Sequence, residues 1–264
     1  MSATNAGMLD GQVAFITGAT RGLGRELAVA LATAGADIAI IGRDAATGEV
    51  TAQAVRDAGR RAIVLAADVT DEAAMDAAAA QAVAHFGRID MLVCTAGISG
   101  PGRPVWESHA SDLQACFDVN VTGVLLAMRA VLPAMIARKY GRVVAIGGTY
   151  GHKGVANAAI YASSKWALRG LVKSAALEAA PHGITCNIVA PGGVEGERLY
   201  AAFRKSAEAR GERMEDALAR FTAGTAMGRL VTGADIAAAI LHLMGDAGRM
   251  ITGQDIIVDS GTII

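Results

Sequence analysis

Tyr161 and Lys165 are the two side chains whose types and spacing most directly suggest chemistry in this sequence. In a helix, residues four apart lie on one face, so the phenol and the ammonium can lie side by side. A free phenol titrates at about 10, and a fixed positive charge beside it favours the phenolate. Tyr161 could then donate and accept a proton at neutral pH. The same spacing also occurs by chance in many helices, so its meaning depends on the surrounding elements.

The elements around this pair are a strand and a helix joined by a loop. The β-branched run 143–146 predicts a buried strand that ends at Gly147-Gly148. A glycine-broken loop follows, and the next helix is expected to begin near Ala158. That helix would place Tyr161 and Lys165 close to the end of the strand.

The composition of the 264 residues limits the kinds of protein to consider. Alanine-rich helices and strands buried on both faces account for the 53% hydrophobic content, as in a covered parallel sheet. No uninterrupted apolar run reaches the roughly 18 residues of a membrane span, and residues 1–11 lack the pattern of a secretory signal. The net charge of −1 and the 4% aromatic content argue against a nucleic-acid partner. We therefore expect a small-molecule substrate, no nucleic acid and no membrane.

The cysteines and histidines form no pattern typical of a disulfide framework or a metal site. The three cysteines are scattered, and the five histidines, at 85, 109, 152, 182 and 242, show no ligand spacing. We expect a reducing, cytoplasmic environment and no metal.

A glycine-rich stretch, TGATRGLG at 17–24, lies between an apolar strand at 12–16 and an apolar helix that ends at Gly35. In that context Gly18 allows a sharp turn, Gly22 allows close approach to a pyrophosphate, and Gly24 allows the helix to pack close to the sheet. The N-terminus of the helix offers free N–H groups to phosphates. The stretch predicts a dinucleotide site that includes Gly18, Thr20, Arg21, Gly22 and Leu23.

The second strand, at 37–41, ends at Gly42-Arg43 and bears on the choice of cofactor. Dinucleotide folds place an acid near this point for the ribose diol, or an arginine for a 2′-phosphate. Here the first acid, Asp44, comes later, and Arg43 with Arg21 offers two guanidinium groups suited to phosphate. NADP(H) is therefore favoured over NAD(H), although two solvated surface arginines would show the same pattern.

Two further strands end in candidate cofactor contacts. After the strand at 62–66, Asp68 and Val69 begin a turn in which Asp68 could touch adenine or be only a turn residue. After the strand at 91–94, a corner of small residues could let the cofactor lie close to the backbone. The contacts expected at this corner are Cys94, Ala96 and Gly97.

The helix after Ser111 contains Asn120 among apolar neighbours. A buried amide must form hydrogen bonds, so Asn120 either joins core backbone segments or holds a water in a proton path.

The C-terminal part of the chain continues the alternation of strands and helices. A strand at 185–190 is followed by Pro191-Gly192, and the charged stretch 195–227 predicts two helices that form a lid, or an ordinary amphipathic crossover. The loop 98–110, with Trp106, would face this lid. A helix at 235–244 and a strand at 255–259 close the chain, and no linker divides residues 1–264, so we expect a single domain.

These pieces together resemble a short-chain dehydrogenase/reductase of the single-domain branch. The resemblance covers about 9–261 and rests on TGATRGLG (17–24), DVT (68–70), the AG of CTAG (94–97), Asn120, YASSK (161–165) and PG (191–192). It implies an α/β fold with a single Rossmann-type doubly wound parallel sheet of about seven strands and helices on both faces. It also implies a nicotinamide cofactor, hydride exchange between an alcohol and a carbonyl, and a homotetramer.

The resemblance also implies roles for individual residues. Tyr161 would be the general acid/base, and Lys165 would hold the nicotinamide ribose and depress the pKa of the tyrosine. Asn120 would anchor a water relay. The backbone after the sixth strand, at Pro191, Gly192 and Val194, would face the nicotinamide amide.

The sequence departs from the family pattern at a position that matters for catalysis. The serine that orients the substrate oxygen lies thirteen residues before the tyrosine in the family, and here that position is Gly148. Thr149 and, second, His152 are the candidates to supply the missing donor. We expect an oxidoreductase acting on a small, mostly apolar alcohol or ketone. The alternatives are a non-redox lyase, hydrolase or isomerase on the same fold, and a dinucleotide-binding protein without turnover.

Overall fold

The computed structural model describes residues 7–263 and contains one parallel sheet. Its seven strands lie in the order β3-β2-β1-β4-β5-β6-β7, so the predicted doubly wound fold is confirmed. The strands are β1 Val13–Thr17, β2 Asp37–Gly42, β3 Ala62–Ala66, β4 Met91–Cys94, β5 Gly141–Ile146, β6 Ile184–Pro191 and β7 Asp255–Val258.

Helices cover both faces of this sheet. The helices are α1 Gly22–Thr33, α2 Ala45–Asp57, α3 Glu72–Phe86, α4 Ala110–Phe117, α5 Gly123–Arg138, α6 Ala159–Ala179, α7 Glu197–Arg210, α8 Met214–Ala223 and α9 Gly233–Met244. Helices α3, α5 and α6 contribute to one hydrophobic core, and α1, α2 and α9 contribute to the other.

Alternation along the strands divides the sheet's side chains between these two cores. In β1, Val13 and Phe15 enter the first core, whereas Ala14 and Ile16 enter the second, and all four are at most 1% exposed. Successive side chains of a strand point to opposite faces, so a strand covered on both sides has to be apolar throughout. The continuous apolar runs of the sequence are therefore strand signals.

The observed elements differ from the predicted ones mainly at their ends. Helix α9 begins two residues earlier than expected because the Thr232 side chain accepts from Asp235 N and the Asp235 carboxylate accepts from Thr232 N. Strand β5 begins at Gly141, two residues before the β-branched run. The expected long helix after Ser111 is interrupted by a π-helical turn, Asp118–Thr122, that contains Asn120.

The stretch Ala110–Arg138 is long and apolar enough to cross a membrane by length and composition alone. In this structure its side chains Val124, Ala127, Val131 and Met135 belong to the first core. These contacts make its C-terminal part, α5, a core helix.

Two sequence expectations extend beyond what the structure describes. Residues 1–6 and 264 lie outside the described residues, so the predicted absence of a leader and the domain range 1–264 stay predictions. Within 7–263, no group of three or more His, Cys, Asp or Glu side chains is placed to hold a metal ion.

Candidate functional site

The carboxyl ends of the parallel strands meet at one edge of the sheet, and this edge brings distant segments together. Loops after β1, β4, β5 and β6 all begin there. Open α/β sheets bind ligands at this edge, where neighbouring connections leave in opposite directions.

The glycine loop after β1 has the geometry that the sequence predicts. Gly18 has φ 68°, and a Cβ there would lie 2.7 Å from Ala96 N. A Cβ on Gly24 would collide with the Gly18 carbonyl, so this glycine lets α1 pack against the loop. A Cβ on Gly22 would meet nothing within 4 Å, so that side of the loop is open to a ligand.

The first turn of α1 is suited to phosphate. Arg21 precedes the helix without a capping side-chain bond, and the first turn has no acidic residue, so its N–H groups have no side-chain acceptor. The loop itself is held by neighbouring helices. Arg25 Nη2 donates to Thr20 O over 2.6 Å, and Thr51 Oγ1 donates to Ala19 O over 3.0 Å. The residues present therefore fit the pyrophosphate of a dinucleotide.

Near the end of β2 lie Arg43 and two carboxylates, Asp44 and Asp68, that already accept hydrogen bonds. Asp44 begins α2, and its carboxylate accepts from Thr47, which lowers its pKa. Asp68 accepts from Thr70 N and Thr70 Oγ1 at 3.0 and 2.9 Å, and lies 3.8 Å from the largely exposed Arg43. Gly42 makes room for the Thr20 methyl, because a Cβ on residue 42 would lie only 2.5 Å from it. Leu23, in the first turn of α1, is partly buried and packs against the second core.

The corner after β4 is fastened to β1 and to Asn120. Thr95 Oγ1 donates to Thr17 O, which ties the ends of the two strands together. Cys94 is buried, which raises its pKa to about 12, so the thiol stays protonated. Gly97 lies against the Asn120 amide, which a Cβ would approach to 3.2 Å.

Asn120 connects the β4 loop to α6. Its Oδ1 accepts a hydrogen bond from Ile98 N, and its Nδ2 donates one to Ile98 O, each over 2.9 Å. Nδ2 also donates to Ser164 Oγ at 3.0 Å, and Ser164 Oγ donates to Tyr161 O at 2.7 Å. The side chain therefore joins backbone segments in this structure, and its role in holding a water of a proton path stays a prediction. π-helical turns are frequent at functional sites, and this one places the amide between loop and helix.

Tyr161 lies in the first turn of α6, with its ring edge-to-face against Tyr150 and 5.6 Å between centroids. Lys165 Nζ is 5.6 Å from the centre of the Tyr161 ring and donates to Ile146 O over 2.8 Å. Burial raises the pKa of the Tyr161 phenol, and the nearby positive charge of Arg198 opposes this shift. The pKa thus moves opposite to the direction expected from the Tyr–Lys pair, because burial outweighs the neighbouring charge.

Lys165 is buried with its charge. Burial lowers the pKa of its ammonium to about 8, and the charge of Arg198 acts in the same direction. A buried charge needs hydrogen-bond partners, and the carbonyl at the end of β5 supplies one here.

The loop after β5 brings Gly148 to the phenol. A Cβ on Gly148 would lie 3.9 Å from Tyr161 Oη and 3.9 Å from Pro191 O. Thr149 begins a short 3-10 turn, Thr149–Gly151, and is 5% exposed. The strand has ended at Ile146, so the alternation of faces no longer applies at Thr149.

His152 ends this 3-10 turn in a different environment. Burial and the charge of Arg169 lower its pKa, and the carboxylates of Asp255 and Asp259 oppose that effect. Its neighbours are therefore the charges beside β7, and the imidazole is neutral at pH 7.

The segment after β6 is held in place by Val231. Val194 pairs with Val231 in an isolated bridge, Val231 N donates to Gly193 O, and Glu195 N donates to Val231 O. A Cβ on Gly192 would lie 2.8 Å from Asp259 Cα, so this glycine allows close contact with the segment after β7. Of the three predicted contacts in this segment, Pro191 lies beside the β5 loop, Gly192 beside Asp259 and Val194 beside Val231.

Sequence reasoning missed Arg198. It is the second residue of α7, in the stretch predicted as a lid, and its guanidinium reaches back to the site. Arg198 Nη2 donates to Ser99 Oγ over 2.6 Å, and its charge lowers the pKa of both Tyr161 and Lys165. No local pattern singles out one arginine in a charged helix, so only the contact reveals it.

Comparison with known proteins gives a consistent result. The chain matches the family described as short chain dehydrogenase over residues 12–206. It is 34% identical to 2,3-dihydro-2,3-dihydroxybenzoate dehydrogenase of Bacillus subtilis strain 168, with 98% of this chain and 99% of that protein aligned. It is 35% identical to cis-4-hydroxycyclohexanecarboxylate dehydrogenase of Sinomonas cyclohexanicum, over 95% and 96% of the two chains.

Two solved structures show the same architecture. Actinorhodin polyketide ketoreductase with NADPH superposes with a TM-score of 0.91 at 32% identity, over 99% of each chain. Carveol dehydrogenase from Mycobacterium avium in complex with NAD superposes with a TM-score of 0.90 at 30% identity, over 97% of this chain and 98% of that one. Similar proteins thus bind one or the other nicotinamide cofactor.

Proposed function

The chain belongs to the short chain dehydrogenase family, and from that premise we propose that it is an NADP(H)-preferring enzyme that interconverts a small alcohol and its ketone. A nicotinamide-dependent oxidoreductase is what the family and the related dehydrogenases and reductases support. The preference for NADP(H), the residue roles and the lid are the finer parts of the proposal.

The observation that carries the proposal is the position of the Tyr161 hydroxyl. It lies at the carboxyl edge of the sheet. A Cβ on Gly148, in the loop after β5, would lie 3.9 Å from this hydroxyl and 3.9 Å from the Pro191 carbonyl oxygen at the end of β6. The open glycine loop ends β1 at the same edge. A carbonyl oxygen bound there can receive a proton from the phenol.

A nicotinamide cofactor, held by the glycine loop after β1 and the segment after β6, would supply a hydride to the ketone carbon or accept one from the alcohol carbon. Tyr161 donates its proton to the carbonyl oxygen as negative charge develops on it, and the raised pKa keeps the phenol protonated at neutral pH. Lys165 favours the phenolate that is left behind. Asn120 is a positioning residue, because its amide fixes Ile98 and Ser164 around the turn that carries Tyr161.

Thr149 is proposed as the donor that compensates for Gly148. Its backbone follows the end of β5, which frees its side chain from the strand's alternation. His152 is the weaker candidate, since its charged neighbours are Arg169 and Asp255.

The preference for NADP(H) is supported by the charges at the end of β2. The Asp44 carboxylate is committed to Thr47 as a helix cap, and that of Asp68 to Thr70. Arg43 is largely exposed, and its 3.8 Å contact with Asp68 is weak enough for a 2′-phosphate to replace. Arg21, whose charge reaches Asp44, can contact the same phosphate.

Fluorescence titration with both cofactors tests this preference. We expect NADPH to bind more tightly than NADH, and Arg43→Ala to weaken NADPH binding by about 10- to 100-fold, because a charge-assisted contact is worth roughly 1.5–3 kcal/mol. Arg56→Ala is the matched control, since Arg56 pairs with Glu49 on the outside of α2. Equal dissociation constants for the two cofactors in the parent enzyme would contradict the preference.

A screen of ketones and alcohols, followed by the absorbance of the reduced nicotinamide, tests the activity itself. Two of the relatives are named for hydroxylated ring carboxylates, so the screen includes cyclic oxo and hydroxy acids beside neutral ketones. Turnover that disappears in Tyr161→Phe is the expected result. Cofactor binding without oxidation or reduction of any member would favour non-redox chemistry or a binding protein.

A further inference from the structure

Arg198 carries a positive charge that no acidic side chain neutralises within residues 7–263. Arg204, in the middle of α7, pairs with Glu197, and Arg103 in the loop after β4 pairs with Asp112. Arg198 forms no such ion pair among the described residues, and its side-chain partners there, the Ser99 hydroxyl and the Tyr161 phenol, are both neutral. A guanidinium has five donors, so these two neutral partners leave capacity for a further acceptor.

The positive charge of Arg198 lies close to Tyr161 and Lys165. Ser99 follows Ile98, which Asn120 holds at the β4 corner, so the contact with Ser99 brings the Arg198 guanidinium over the site. The same charge acts on both the Tyr161 phenol and the Lys165 ammonium. Two cations therefore lie beside the phenol, and no carboxylate is among the groups that shift the pKa of either residue.

We infer that the substrate is an oxo or hydroxy carboxylate, whose carboxylate binds to Arg198 while its reacting oxygen binds to Tyr161. This inference rests on the proposed function and narrows its substrate class. Arginine matches a carboxylate through two parallel hydrogen bonds, which fix orientation as well as position. Because the Arg198 guanidinium is close enough to the Tyr161 phenol to hydrogen-bond it, the carboxylate and the reacting oxygen of such a substrate would bind near each other.

Arg198 lies on α7, the first of the two helices proposed as a lid, so a substrate bound to it would contact the lid. The residue lies in the first turn of α7, and the loop that leads into it is held at Val194 and Glu195 by Val231. A carboxylate held by Arg198 would thus connect the substrate to the first of the two lid helices. A neutral ketone lacks this connection.

Matched pairs of substrates test the inference. Short-chain and cyclic oxo acids are compared with their methyl esters as substrates for the parent enzyme with NADPH and with NADH. We expect kcat/KM to be about 10- to 100-fold higher for an acid than for its ester, since a charged bidentate contact is lost in the ester. In Arg198→Gln the ratio of acid to ester should fall towards one, mainly through a higher KM for the acid.

Arg204→Gln is the matched control, because this arginine lies on the same helix and pairs with Glu197 on its surface. It should leave the ratio of acid to ester as in the parent. Arg198→Lys keeps the charge but not the two parallel donors, and should retain part of the preference.

Three results would overturn the inference. The first is a parent enzyme that uses esters as well as acids. The second is an Arg198→Gln variant whose kcat falls equally for acid and ester while the acid-to-ester ratio of kcat/KM stays at the parental value, since Arg198 would then act only through Tyr161. The third is the absence of saturable binding of every oxo acid to the enzyme with cofactor, measured by calorimetry. Because calorimetry needs no turnover, Arg198-dependent binding without reduction would sustain the carboxylate site and count only against the proposed redox reaction.

Discussion

At position 148 the backbone has φ 153° and ψ 157°, a combination that L-residues rarely adopt. A Cβ would nevertheless find ordinary contact distances there, with Tyr161 Oη at 3.9 Å. Sterically, then, a serine fits beside the phenol, but its backbone would be strained. Gly148 thus adopts a backbone conformation that favours glycine, and it lacks the hydroxyl donor that the family's serine would supply.

The donor that replaces the serine is testable at Thr149. An oxyanion donor is typically worth about 10²–10³ in rate, so Thr149→Val should lower kcat tenfold or more. Gly148→Ser should leave activity on small ketones equal or higher, while the free energy of unfolding falls by about 1–2 kcal/mol through backbone strain. Steady-state kinetics and urea denaturation measure the two effects.

His152→Ala is the companion variant in this experiment. Its charged neighbours lie beside β7, so we expect parental kinetics. If Thr149→Val and His152→Ala both turn over like the parent, no side chain of this loop replaces the serine.

The buried charge of Lys165 is expected to lower the stability of the fold, although activity requires this residue. Its pKa falls from 10.5 to about 8 on burial, so the unfolded chain binds more protons than the folded one between these two values. Stability therefore rises with pH across that window, and the cost of burying the charge is fully present below pH 8. That cost is about 3 kcal/mol, of which Lys165→Met should recover about 1–2 kcal/mol at pH 7, since the Ile146 carbonyl loses its donor.

Denaturation at pH 7 and at pH 10.5 measures this effect in the protein without cofactor. The gain in Lys165→Met should disappear at the higher pH, while activity is lost throughout. Lys205→Met, at an exposed position of α7, should change stability little at either pH. A Lys165→Met variant less stable than the parent at pH 7 would contradict the argument.

Among the elements, α7 and α8 form the unit proposed as a lid. Phe203 and Phe221 pack edge-to-face with 5.4 Å between centroids, and Phe221 occupies the space that a side chain at Gly193 would need. Only Ala207 and Ala217 are buried in the two helices. The facing Trp106 is 82% exposed, so it does not pack against the lid in this structure.

Hydrogen exchange tests whether the lid closes. Exchange across 197–223 should slow when cofactor and substrate are both bound, because closure buries apolar surface and expels water. The emission of Trp106 should shift to the blue at the same time, and this shift should be absent in Trp106→Phe. Unchanged exchange in 197–223, with protection confined to the glycine loop, would leave the two helices an ordinary crossover.

The whole molecule is expected to be a homotetramer, on the resemblance to its family. The outer surface of α6 exposes Trp166 by 49% and Leu177 by 80%, more apolar surface than a helix facing only water requires. Sedimentation equilibrium should give four times the mass of one chain, independent of concentration in the micromolar range. A monomeric mass would contradict the prediction.

The strands and helices could be predicted from the sequence because their signals are local, whereas the doubly wound sheet of seven strands was implied by the family resemblance. The apolar runs of the strands, the glycines at the end of β1 and the alternation of strands with helices are properties of short segments. A right-handed crossover between parallel strands leaves few ways to arrange such segments. The same locality explains why Tyr161 and Lys165, four residues apart, could be placed on one helix from their spacing alone.

Tertiary structure decided what depends on contacts between distant segments. The guanidinium of Arg198 meets Ser99 across 99 residues of chain, and Lys165 donates to a carbonyl 19 residues earlier. The direction of the Tyr161 pKa shift depends on how deeply the phenol is buried and which charges surround it. None of these follows from residue type or period, because desolvation and Coulomb energy depend on positions in space, which the chain acquires only when it packs.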